Sequence, residues 1–426
     1  MTANKTKIFL SLFIFLLSGP LWAEGEKTPP PWYEKVSVGG EIRLRSETQI
    51  DYANIAGGVD DDSFVLLRVR PHIEAKPTSG LRLFIQPQFS RVFAQEESTI
   101  ANTAATRTNN DDFDLHQGYI DFQDIGGSPL SLRLGRQELN YGDQRLVGAF
   151  GWNNVGRNFD AAKASLKWET LWVEAFFSLI ERVAGNQYFG GLYGHWDVRP
   201  SMAYEPFVLV LRDNDGSATG ASLTLVTFGD RLTGKFYDDR IDYGLEAALQ
   251  AGKSQPNTHF AYAAHAAGGY TFLETTWRPR LGLDFNTASG DDPATTRVER
   301  FNNLFPTNHD KYGYIDFASW RNIYDISPVF SLQPVAQGLI ELSYHLFLLP
   351  EVSDGLFRSS GAQLRAGAAG ASRVAGHEID LSAKYTWNKW AHFLLGYSLF
   401  KGGDFFADTG TNGTAHFLYI QTQANF

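Results

Sequence analysis

Arginine recurs at alternate positions in this chain: Arg43 and Arg45, Arg68 and Arg70, Arg278 and Arg280. In an extended strand that spacing puts both members of a pair on one face. A guanidinium is a planar fork that stays charged and suits carboxylates or phosphates. Arg133, Arg231, Arg82, Lys76, Lys163, Lys167, Lys235 and Lys384 take the same polar face of their own segments. Acids share that face: Glu41, Glu74, Asp121, Glu174, Asp242, Glu246, Asp284, Glu341, Glu378 and Asp380. Two chemistries fit this set, and both can hold at once. One is a ladder of ion pairs that stiffens a wall. The other is a pore whose arginines draw anionic solutes through while nearby acids keep them from sticking.

Catalytic and cofactor motifs are missing. There is no His-Glu-x-x-His and no Gly-x-Ser-x-Gly, and the ten histidines show no metal-ligand spacing. Gly229 to Lys235 imitates a phosphate-binding loop, but Phe236 stands where Ser or Thr is needed and the stretch alternates like a strand. The Asp60 to Asp62 run reads as a solvated loop. Neither an enzyme, a cofactor, a metal nor a nucleic-acid partner is expected.

The elements that must position the arginines are strands. In Val65 to Lys76, Val65, Leu67, Val69, Ile73 and Ala75 oppose Arg68, Arg70, His72, Glu74 and Lys76. Similar alternation centres near 41, 70, 86, 118, 133, 163, 176, 193, 208, 230, 246, 265, 282, 327, 343, 382, 396 and 421. A strand greasy on one face and polar on the other suits a wall between lipid and a wet lumen. The chain closes on such a strand, ending at Phe426. Aromatics make up 14% of the residues, with no cysteine, and mean hydropathy is −0.24. Transmembrane barrels look water-soluble on average because only alternate residues meet lipid.

Residues 1–23 read as a secretion signal: Lys5 and Lys7, an apolar run from Ile8 to Leu17, and a small residue for cleavage at Ala23. The expected fold of residues 24–426 is all-β, a transmembrane antiparallel barrel of about 18 strands. Turns near 77–80, 126–129, 169–170, 237–240 and 388–389 read as short and periplasmic. Loops near 48–62, 93–112, 138–158, 288–321, 349–375 and 402–414 read as long and extracellular. Such a barrel leaves an aqueous channel unless loops narrow it, and segments 138–158 and 288–321 are the candidates.

Leu134 to Gly148, followed by Trp152 to Ala161, resembles the alginate export family of bacterial outer-membrane barrels. So do Ala288 to Asp291, Leu304 to His309, Gly313 to Asp316, Trp320 to Ile323, Gly376 to Leu381 and Gly396 to Phe400. The resemblance implies an 18-stranded monomeric barrel in the bacterial outer membrane. It also implies outer-membrane lipid and the barrel assembly machinery as partners. In the exporter that gives the family its name, a basic constriction passes a polyuronate. Carried over, Arg136, Arg145 and Arg157 stand at or beside the constriction, with Asp160 next to them. The opposing possibility is that these arginines tie the loop to the wall through Glu138, Asp143 and Asp160. The expected function is a pore for anionic or sugar-like solutes, with polysaccharide export as its long-chain form. The alternatives are an outer-membrane enzyme acting on lipid or sugar, and a plugged structural barrel.

Overall fold

The computed structural model describes residues 32–57, 61–93, 109–182, 185–214 and 222–426. The expected signal at 1–23 and Asp60 lie outside the described residues. Eighteen strands form one sheet. In chain order they are β1 (Val36–Ile50), β2 (Asp62–Thr78), β3 (Leu81–Phe93), β4 (Asp111–Phe122), β5 (Leu130–Gln137), β6 (Phe159–Lys167), β7 (Leu171–Arg182), β8 (Gly185–Arg199) and β9 (Met202–Asp213). The second half has β10 (Leu223–Phe236), β11 (Ile241–Ser254), β12 (Asn257–Thr271), β13 (Arg280–Ala288), β14 (Ile323–Leu332) and β15 (Gly338–Leu348). A two-stranded ribbon, β16 (Leu356–Phe357) and β17 (Gln363–Arg365), sits in a loop. β18 (Val374–Asn388), β19 (Ala391–Gly402) and β20 (Thr414–Asn425) then complete the wall.

Each wall strand pairs antiparallel with its neighbours, and β20 pairs with both β19 and β1, so no edge is left open. Closure runs to the last residue: the Gly40 amide donates to the Phe426 carbonyl at 2.9 Å, and the Phe426 amide donates to Gly40.

The pleat fixes the two faces. On β1, Ile42 and Leu44 are exposed on the outside while Arg43 and Arg45 are buried on the inside. On β2, Arg68 and Arg70 are buried inside, opposite in direction to Val69. A one-residue slip would put these charges into lipid, at roughly 2–4 kcal/mol for each near mid-bilayer. Exposed tryptophans mark one rim: Trp168, Trp196, Trp277, Trp387 and Trp390 all lie at or beside short turns. They form the aromatic girdle expected at a membrane interface.

The opposite rim carries the long loops 138–158, 289–322 and 349–373. Connections on that side are not uniformly long, since β11 reaches β12 through residues 255–256 alone. Among the described residues, two short helices lie in other connections at this rim: α1 (Ala53–Ala56), between β1 and β2, and α2 (Asp404–Thr409), between β19 and β20. Much of the buried apolar surface lies inside the barrel, where loop residues such as Leu146, Phe305, Phe317 and Trp320 pack against inward side chains such as Phe159, Phe189 and Phe400.

Candidate functional site

Loops 138–158 and 289–322 both fold inward and lock together. The Gly148 amide donates to the Phe305 carbonyl, the Phe305 amide donates to Leu146, and the Thr307 amide donates to Gln144, all at 2.8–2.9 Å. Val147 and Phe305 form a parallel bridge. Trp152 stacks on His309 at 3.7 Å between ring centroids. The Arg45 guanidinium lies over the same indole at 3.7 Å.

The walls hold these loops by two opposite chemistries. Four arginines of β1 and β2 grip the first loop by its backbone carbonyls. Arg43 and Arg68 each donate to the carbonyls of Gly151 and Asn153, at 2.7–3.1 Å. Arg45 donates to Trp152, and Arg70 to Val155. Three strands round the wall from β1, past β20 and β19, β18 grips the second loop by its amides. The Ile315 amide donates to Glu378 at 2.8 Å, and the Tyr314 amide to Asp380 at 3.4 Å. An arginine can only donate and a carboxylate can only accept, so each wall takes the half of the peptide group that it can satisfy. Two tight backbone positions fit this arrangement. Gly156 has φ +75° and its missing Cβ would meet Arg70 at 2.6 Å; Gly313 has φ +82° and its would meet the Glu378 carboxylate at 2.5 Å.

Arg145 is the hub between the loops. Buried, it donates to Tyr312 at 3.0 Å and to Asn286 at 3.1 Å, and it pairs with Asp143 at 3.3 Å. Asp143 also receives the Lys311 ammonium at 2.9 Å. Burial alone would raise the Asp143 carboxyl, but Arg145 and Lys311 outweigh it and hold it below the usual aspartate range. Burial likewise pulls Arg145 down, and Tyr312, Asp143 and Glu246 more than reverse that. Burial and then Arg300 lower Arg321, in the same loop, to about 10, which leaves it charged at neutral pH.

Beside this hub is a polar cavity of about 250 Å³. Its cations are Arg145, Arg280 and Lys311, its acids Asp143, Asp284, Asp310 and Glu341, and His345 and Tyr314 complete its edge. Arg280 is braced by Asp242 at 2.6 Å, and His345 by Asp325 at 2.9 Å.

The fourteen residues expected along the solute path therefore part company. Arg43, Arg45, Arg68 and Arg70 face inward as loop clamps, Glu378 and Asp380 likewise, and Arg145 and Arg280 border the cavity. Arg133 faces inward and pairs with Asp121 at 2.7 Å, and Arg231 pairs with Glu205 at 2.8 Å. Arg157 ties the two loops together, donating to the carbonyls of Gly148 and Pro306.

Three expectations need correction. Arg136 and Asp160 are register partners, 2.8 Å apart, on the outward face of β5 and β6, because Gln137, Phe159 and Ala161 take the inside. Arg278 is not in the wall. It sits exposed in the turn before β13, with φ +42°. Lys311, Asp310, Asp143, Tyr314 and His345 were absent from the expected path. The loop members carry no periodicity to betray them; the one sequence signal was their position within or beside the stretches 134–148 and 313–316.

A family model for alginate export matches residues 34–419. No curated protein matches the sequence. Among solved structures, OccAB1 of Acinetobacter baumannii shares 12% identity with a TM-score of 0.64, covering 93% of this chain and 98% of that one. The outer membrane protein OprD of Pseudomonas aeruginosa shares 12% identity with a TM-score of 0.62, covering 92% and 94%. OccK8 (OprE) of the same organism shares 9% identity with a TM-score of 0.61, covering 92% and 98%. At these identities the likeness is one of fold.

Proposed function

The chain belongs to the alginate export family, and from that premise we propose that this outer-membrane channel passes anionic or sugar-like solutes through a mixed-charge constriction at Arg145, Lys311 and Arg280. The observation that carries the reading is the polar cavity that these cations line, together with four acids, next to the interlocked loops. Three cations on the lining of one cavity suit a carboxylate-bearing sugar. The acids among them, Asp143, Asp284, Asp310 and Glu341, keep the solute from binding too tightly to leave. The buried arginines of β1 and β2 serve the path indirectly, by fixing the loop that narrows it. A chain of uronates is the long form of the same solute, and its passage requires the two loops to separate. The interlock itself favours a second reading, a barrel closed at rest that opens when the loops part. Outer-membrane lipid and the barrel assembly machinery are its partners in either reading.

Proteoliposomes loaded with a labelled uronate or with a neutral hexose of similar size test this. Efflux should favour the uronate, and Lys311→Gln with Arg280→Gln should shrink that preference several-fold while leaving hexose efflux in place. Efflux of neither sugar above protein-free vesicles would refute the channel reading for these solutes.

A further inference from the structure

The outward face of β18 to β20 is apolar until its long-loop rim. Along β18 it runs Leu381, Ile379, His377; along β19, Leu395, Tyr397, Leu399, Lys401; along β20, Ile420, Leu418, His416. Register places His377 directly opposite Lys401, and His416 opposite Leu399 next to it. Three nitrogen-bearing side chains thus gather at one height. From Trp390 in the girdle to Lys401 is eleven residues. At about 3.4 Å per residue and a tilt of about 40°, that is roughly 29 Å along the membrane normal, just past an apolar band of about 25 Å. The cluster therefore stands at the outer interface.

Its charge is not neutralised from within the barrel. Outward arginines elsewhere on this rim have partners: Arg91 pairs with Asp112, and Arg136 with Asp160. Lys401 forms no ion pair among the described residues. The nearby acid Asp408 accepts the Ser372 amide. The two histidines are held by tyrosines rather than acids, His377 Nδ1 by the Tyr344 hydroxyl at 2.6 Å and His416 Nδ1 by Tyr397 at 2.8 Å. With the hydroxyl donating, the ring proton stays on Nε2, free to meet an anion. Deeper on the same sector, Ile340, Ala383, Tyr385, Phe393, Leu395 and Ile420 border an apolar groove of about 330 Å³.

We propose that this sector binds a phosphate-bearing glycolipid of the outer leaflet, its phosphate at Lys401, His377 and His416 and its acyl chains lying along the apolar positions below. An occupant with an anionic head and apolar tails matches the order of the residues along all three strands.

Native mass spectrometry of the detergent-solubilised protein with bisphosphorylated lipid A, and with the same lipid A stripped of phosphate, tests this. The phosphorylated form should be retained about tenfold more tightly. Replacing Lys401, His377 and His416 together with Gln should abolish the difference. Lys401→Arg should preserve it, as should Lys389→Gln at the other rim. Heat-modifiable migration reports whether each variant is folded, and the exposed Lys401→Gln alone carries the test if the triple variant fails to assemble. Equal retention of both lipids by the wild type, or an undiminished preference in a folded variant, would overturn the proposal.

Discussion

At the scale of single residues, each arginine's role follows from its partner. Arg43 and Arg68 spend their forks on the carbonyls of Gly151 and Asn153 rather than on open lumen. Removing a charged donor from a buried carbonyl costs about 1.5–3 kcal/mol. Arg43→Gln or Arg68→Gln should therefore loosen loop 138–158, giving a larger and noisier single-channel conductance with little change in ion preference. Reduced anion preference at unchanged conductance would mean instead that these arginines line the path. Asp143 sets a pH limit on the same lock. A carboxylate with a depressed native pKa contributes fully above its ordinary value, about 3.9, and loses that contribution as pH falls through the native value. Its ties to Lys311 and Arg145 should thus hold from neutrality to about pH 4 and weaken below. Conductance recorded from pH 7 to 3 should be flat and then rise. Asp143→Asn should raise it already at pH 7.

Among the elements, strands and loops differ in what the sequence reveals. All 18 expected strand centres fall within wall strands, because lipid on one side and polar groups on the other enforce a period of two. The rule relaxes at the rim, where a polar residue may face outward past the apolar band, and this is why Arg136 and Asp160 read as lumenal. It also lapses in turns, where Arg278 adopts a left-handed backbone that no alternation marks. Inside loops 138–158 and 289–322 many contacts are made by backbone amides and carbonyls, which every residue type possesses, and the side chains that act there, such as Lys311 on Asp143, follow no period. Gly313 shows how tightly the second loop is seated. With φ +82° and no space above the Glu378 carboxylate, Gly313→Ala should strain the backbone by about 1–3 kcal/mol and push the loop off β18. Faster proteolysis within 289–322 in an intact, heat-modifiable barrel is the expected result. Unchanged protection would show that the contact with Glu378 is dispensable.

For the whole molecule, the closed wall encloses two inward loops that its own inward side chains hold in place. Arginines of β1 and β2 hold one loop, carboxylates of β18 hold the other, and the cavity at Arg145, Lys311 and Arg280 lies where the loops meet. The fold and its placement in the outer membrane follow from strand periodicity and family membership. Solute preference depends instead on how charges from distant strands are brought together, which no single strand encodes. Reversal potential across a salt gradient in a planar bilayer, for the purified wild type and for Lys311→Gln with Arg280→Gln, tests the account most directly. It predicts small, anion-preferring currents in the wild type and weaker anion preference in the variant, at equal or larger conductance because Lys311 also ties Asp143. Absence of conductance, or identical selectivity in both proteins, would contradict it.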